Sequence, residues 1–350
     1  MKFPSFILHA GLMLPLMTAA APGIRAQEPA AKEAAKALEP EPPPPQAQAQ
    51  AQAQAPDFSK KGAAHLAGIL NKPWAGGWTG AVLENVRRVP PKPGMAFATK
   101  LPAAWHARIA GPGGKSGYLL WEDGKQGGLL EFALDDRLDI DAPNARALPG
   151  VTALQQFPLP GRDGGKPVAS GCVPTAGASV FDFWLRRGQA PAAVPADGKD
   201  AGNEAGLRDL TLKLRARINM MAIPDRDGFT EDGMDLAGAN PAELAKAIQS
   251  EADARGLAVR AKFGAFSFDL LKAEINAGRP ALLSCVVRVP HKPELSWGHE
   301  VAATGWAELG GARFAGILDN FYPIGNPAAV RWIREEAFQS LITVKPAEKE

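Results

Sequence analysis

The sequence predicts an α+β protein, with helices followed by a run of antiparallel strands. Three observations carry this. Apolar residues recur at helical spacing in three segments between residues 206 and 277. Apolar strand-like runs then follow at residues 281–289, 298–306 and 313–318. Upstream, at residues 170–184, a turn leads into a helix that opens at Cys172 and is expected to pack on the antiparallel sheet. A small β-rich region, residues 58–150, is expected before it.

The 350 residues, 46% hydrophobic and 22% charged, suffice for a core in one or two domains. A formal charge of +2 and the lack of a basic stripe give no support for a nucleic-acid partner.

Residues 1–26 read as a signal peptide. Lys2 supplies the positive start, residues 6–21 form an apolar stretch, and cleavage is expected after Ala21 or Ala26. His9 and Pro15 interrupt that stretch, which is short for a span of about 20 residues. Export to a periplasmic or extracellular location is therefore expected. No cysteine sits near the cleavage region, which argues against a lipoprotein anchor. Residues 27–57 are rich in Pro, Ala and Gln, with a proline run at 42–45 and alternating Gln-Ala at 46–55. This composition predicts a disordered linker holding the folded part away from the membrane or wall.

In the 58–150 region the clearest element is a hairpin, residues 117–122 and 129–134 around a glycine-containing loop. Trp74, Trp78, Trp105 and Trp121 either fill its core or form a ligand face. A ligand face would associate with the cell wall or envelope.

A second domain is expected over residues 151–346. Gly171 allows a sharp entry into the helix at Cys172, and Pro174 fits its first turn. Leu207, Leu210, Leu214, Ile218 and Met221 mark a helix over 206–221. Asn240 and Pro241 start another, which Gly256 ends. Residues 257–263 alternate as a strand, and 267–277 form a helix with Phe268, Leu271 and Ile275 inward. After the three apolar strands, a helix over 335–341 and a last strand at 342–344 are expected.

A thiol at a helix N-terminus meets unpaired N–H groups and the positive end of the helix dipole, which favour the reactive thiolate. Cys172 has that position, His299 starts an apolar strand, and Asp319 and Asn320 end the next. Thiol chemistry needs a nucleophile, a proton shuttle and a group that orients the imidazole. It also needs oxyanion donors: the Cys172 backbone and an upstream side chain, with Gln156 or its neighbour Gln155 as the candidate.

The order of these motifs resembles the papain-like cysteine peptidases. It runs Gln156, then Gly171-Cys172-Val173-Pro174-Thr175-Ala176 opening a helix with Phe183-Trp184, then Gly298-His299 on an apolar strand, then Asp319. The likeness is greatest to the branch related to bacteriocin double-glycine leader peptidases. It covers residues 151–344 and departs from the usual pattern at Val173 and Asn320. It implies a peptidase in which Cys172 is the nucleophile, His299 the general base and acid, Asp319 the orienting group and Gln156 the oxyanion donor. The substrate would be a peptide or other amide, and no metal or organic cofactor is implied.

Alternatives stay open at this level. Asn320 competes with Asp319, and alternation lets only one of them face His299 if both are still in the strand. Cys172 and Cys285, the only cysteines, could form a disulfide. A catalytically inactive binding module and an acyltransferase using the same thiol are the rival functions. The acidic stretch from Asp225 to Asp235 lacks the spacing of an EF-hand and reads as a solvated loop.

Overall fold

The computed structural model describes residues 45–90, 101–134, 140–161, 164–187, 204–224, 233–289, 292–321 and 330–347, with side chains from Phe58 onward. The expected signal peptide, most of the linker, the acidic stretch 225–232 and His291 lie outside these residues. Contacts divide the chain into Met1–Ala51 and Gln52–Glu350, and the sheet, cores and cleft described below belong to the second unit.

The fold is mixed α+β, as expected, and is built on a 12-stranded sheet. Its first strands are β1 (Val82–Val89), β2 (Ala104–Ala110), β3 (Ser116–Glu122), β4 (Leu129–Leu134), β5 (Ile140–Ala142) and β6 (Ala145–Ala147). The later ones are β11 (Val259–Ala265), β12 (Ala281–Val289), β13 (Lys292–Leu309), β14 (Ala312–Leu318), β15 (Val330–Arg334) and β16 (Phe338–Pro346). The order is β1-β2-β3-β4-β15-β14-β13-β12-β16-β11, with β6 bridging β5 and β13, and every pairing is antiparallel. Two short pairs lie apart from it: β7 (Pro158–Leu159) with β8 (Val168–Ala169), and β9 (Met221–Ile223) with β10 (Leu236–Gly238).

The β3–β4 hairpin forms as expected. The boundary near residue 150, however, is not a break in the sheet: β4 pairs with β15 through Glu131↔Ile333 and Ala133↔Arg331. Of the four tryptophans expected as core or ligand face, Trp78 and Trp121 are fully buried and Trp105 nearly so, while Trp74 is half-buried against the same core.

Helix α1 (Pro45–Leu70) corrects the expectation of a disordered linker over residues 45–57. Ala and Gln rank among the good helix formers, so an alternating Gln-Ala tract propagates a helix once nucleated. Downstream, Leu66 and Ile69 are buried and the α1 side chains hold the β3–β4 loop. Lys61 Nζ donates to Gly124 O at 3.1 Å and His65 Nε2 lies 2.6 Å from Gly127 O.

Helix α2 (Cys172–Arg186) is buried from Cys172 to Trp184, which explains its apolar residues on all sides. A Cβ on Gly177 would lie 2.6 Å from Leu244 Cδ1, so the missing side chain lets two helices approach. Those neighbours are α3 (Glu204–Ala216) and α4 (Pro241–Ala254). Helix α3 stops short of the expected residue 221, because Met221–Ile223 pairs with β10 instead. Helix α4 starts as expected, with Asn240 Oδ1 accepting from Ala242 N at 3.0 Å. Helix α5 (Phe268–Asn276) is capped by Ser267 Oγ, which accepts from Leu270 N at 3.3 Å.

Both faces of the central strands are covered. Leu282, Ala302 and Ile342 join the core under α2, α3 and α4, while Leu283, Ala303 and Leu341 join a second core with α5. Successive residues thus enter opposite cores, which makes the strands read as unbroken apolar runs. The expected helix over 335–341 is a 3-10 turn, Glu335–Ala337, followed by β16. Pairing with β12 on one side and β11 on the other outweighs the local pattern there. Among the described residues no helix is long and apolar enough to cross a membrane.

Candidate active site

Cys172 is the first residue of α2, and Gly171 before it has φ 95°. A side chain there would also meet Met220 Cε at 2.6 Å, so the entry turn depends on glycine. No side chain caps the helix start, which leaves its first N–H groups directed toward the thiol end. Thr175 Oγ1 donates to Gly171 O at 2.7 Å and pairs with Ser170 Oγ at 3.0 Å, fixing the turn. Both cysteines are free thiols, so the expected alternative of a Cys172–Cys285 disulfide is not formed. Burial pushes the Cys285 thiol well above its usual range, with the nearby Glu300 carboxyl adding to the effect.

His299 and Asp319 are brought together. His299 Nε2 lies 3.0 Å from Asp319 Oδ1, and both side chains are buried. Asp319 Oδ1 also accepts from Phe321 N at 2.8 Å, and Oδ2 accepts from Arg331 Nη1. A carboxylate held by a guanidinium only accepts, so Nε2 donates to Asp319 and Nδ1 is the ring nitrogen left facing away from it. Nδ1 has no hydrogen-bond partner. Trp297 stacks on the imidazole with ring centroids 4.6 Å apart, and Phe321 packs edge-on against Trp297. These rings keep water from the His299–Asp319 bond.

Asn320 faces elsewhere; β14 ends at Leu318, so both residues lie just past the strand on which alternation was expected to separate them. Its Nδ2 donates to Cys172 O and to Glu300 O, each at 3.0 Å. Its Oδ1 accepts from Gln156 Nε2 at 3.2 Å, and Gln156 N donates to Asn320 O at 2.8 Å. Gln156 is buried and one of its two amide hydrogens is committed to Asn320. Its neighbour Gln155 is half-buried.

Cys172 and His299 both line a cleft of about 400 Å³. Its walls include Val173, Met221, Ile223, Leu236, Pro241 and Trp297. Ser284 and Glu300 face each other across β12 and β13, as do Cys285 and His299, and all four line the cleft. The thiol does not hydrogen-bond Nδ1 in this structure. Glu300 is 1% exposed, and burial pushes its carboxyl up to about 7 against the lowering effects of Ser284 and His299.

Sequence reasoning missed Trp297, Glu300, Glu131 and Arg331. Trp297 and Glu300 carry a signal, standing two before and one after His299 on a strand. Arg331 carries none. Its guanidinium is buried between Asp319 and Glu131, whose Oε1 it meets at 2.6 Å, and it also donates to Tyr118 Oη at 2.7 Å. Burial would lower its pKa, but Glu131 and Tyr118 more than reverse that. Among the described residues no group of three His, Cys, Asp or Glu is placed to hold a metal ion. No protein-family model matches the chain, and no curated protein is significantly similar to it.

Proposed function

We propose that the chain is an exported cysteine peptidase or related amide hydrolase of papain-like type, with Cys172 as nucleophile. One observation carries the reading: His299 has Nε2 tied to a buried carboxylate and Nδ1 unpartnered, in the cleft that holds a helix-start thiol. Cys172 passes its proton to Nδ1 of His299, and the thiolate attacks the scissile carbonyl. Asp319 holds the tautomer and stabilises the imidazolium. The α2 N–H groups and the remaining Gln156 hydrogen are the oxyanion donors. His299 protonates the leaving amine, and water then cleaves the acyl-enzyme with the same imidazole as base. The thiol and Nδ1 close to bonding distance when substrate enters, since catalytic contacts are often long in the empty enzyme.

The unmade thiol–imidazole bond is also what a binding module of this architecture would show, and it favours that as the second reading. Iodoacetamide at neutral pH without reductant separates them. Rapid alkylation at Cys172, lost in His299→Ala, supports the hydrolase; slow labelling indifferent to His299 removes it. Peptide products formed with and without a primary amine then distinguish water from amine as acceptor.

A further inference from the structure

The cleft carries a carboxyl that the thiol chemistry does not use. Glu300 is nine-tenths buried and more, and its Oε2 accepts from Ser284 Oγ at 2.5 Å. Ser340 Oγ donates in turn to Ser284 Oγ at 2.7 Å, so two hydroxyls are oriented to serve this carboxyl. Oε1 has no partner at all. A buried carboxylate without a counter-charge is costly, so a ligand that supplies the charge gains what the empty site lacks.

The rest of the cleft narrows what that ligand is. Among the described residues that line it there is no Lys or Arg, and Glu300 is the one acid. Val173, Met221, Ile223, Leu236 and Pro241 make its walls apolar. An apolar wall with one buried carboxyl among its described lining residues fits an alkyl stem ending in a cation. Glu300 also lies beside the thiol residue, since one Asn320 amide donates to both Cys172 O and Glu300 O at 3.0 Å. A group docked on Glu300 therefore belongs to the substrate residues next to the scissile bond.

We propose that Glu300 selects substrates with an ammonium or guanidinium on an alkyl stem, that is, lysine- or arginine-containing peptides cleaved near the basic residue. This rests on the reading of Cys172 as a nucleophile, and the test separates the two. The full-length protein is treated with N-acetyl dipeptidyl chloromethyl ketones. Lysine, norleucine or glutamate occupies either the residue bearing the ketone or the one before it. Alkylation of Cys172 is followed by mass spectrometry. In at least one register lysine should outpace norleucine by about tenfold, the factor that about 1.4 kcal/mol supplies. Glutamate should be the slowest. Glu300→Gln should bring the lysine-to-norleucine ratio to within about twofold, because the neutral amide keeps the shape and loses the charge.

Equal rates for lysine and norleucine, with iodoacetamide still labelling Cys172 rapidly, overturn the role of Glu300 and leave the hydrolase standing. If no electrophile labels Cys172, the hydrolase falls. Calorimetry with N-acetyl-Gly-Lys-Gly-amide and its norleucine counterpart then decides the charge preference alone. Tighter binding of lysine, lost in Glu300→Gln, keeps the cation site; equal binding removes it.

Discussion

Replacing Glu300 by Gln should stabilise the folded protein at alkaline pH and leave it nearly unchanged in acid. Burial raises the Glu300 carboxyl from 4.5 to about 7, while Ser284 and His299 act in the opposite direction. Between those values the folded state keeps a proton that the unfolded chain releases, so stability falls as pH rises. The favourable contribution is fully present below about pH 4.5 and is lost as pH passes about 7. At 1.36 kcal/mol per pH unit, that interval corresponds to about 3 kcal/mol. Gln mimics the neutral acid, keeps an acceptor for Ser284 and cannot ionise. Urea unfolding of both proteins at pH 4.5 and pH 8.5 reads the difference, and other titrations cancel between them. The variant should gain about 3 kcal/mol on the wild type at the higher pH and about none at the lower. A constant difference would show that Glu300 titrates alike in both states. A wild type that gains on the variant with rising pH would show a depressed carboxyl and refute the burial argument.

Arg331→Leu should cost about 3–5 kcal/mol in chemical denaturation, because it strands Asp319 and Glu131 without their cation. Arg331→Lys should recover only part of that, since one ammonium cannot reproduce the fork that meets Asp319, Glu131 and Tyr118. A loss below about 1 kcal/mol for the leucine variant would place these charges in water rather than protein. Gly171→Ala should cost about 1–3 kcal/mol from its φ of 95° alone, and more from the contact with Met220. The melting temperature should fall, and an unchanged one would mean the entry turn adapts. Cys285→Ala should leave iodoacetamide labelling as it is, because its buried thiol resists ionisation. Native labelling at Cys285 would contradict its place in the core.

Much of this fold was legible because local chemistry announced it. Asn240-Pro241 and Ser267 start helices by satisfying N–H groups within three residues of themselves. The glycine turn before Cys172 is equally local, whereas Asp319 and Asn320 turn to different partners past the end of β14, where strand alternation no longer applies. Residues 335–341 failed for the opposite reason. Their Glu-rich start and apolar spacing suit a helix, and only the strands on either side, paired from residues 259–265 and 281–285, make 338–341 β after a single 3-10 turn.

The same distinction explains why the support of the candidate site stayed hidden. Arg331 reads as an outward residue of a half-buried strand, in Val330-Arg331-Trp332-Ile333. It is interior because β4, about 200 positions earlier in the chain, is its neighbour strand and brings Glu131 with it. Tyr118 arrives from β3 in the same way. The 58–150 region, which looked like an appendage, thus supplies the counter-charges that fix the guanidinium holding Asp319. Asp319 in turn holds His299, so the imidazole is oriented by residues from both halves of the chain. A chain lacking β3 and β4 would leave Arg331 without Glu131 and Tyr118, and would make its own strand β15 an open edge. The orientation of the proposed proton shuttle is on this ground a property of the whole sheet, and no spacing within residues 151–346 could have revealed it.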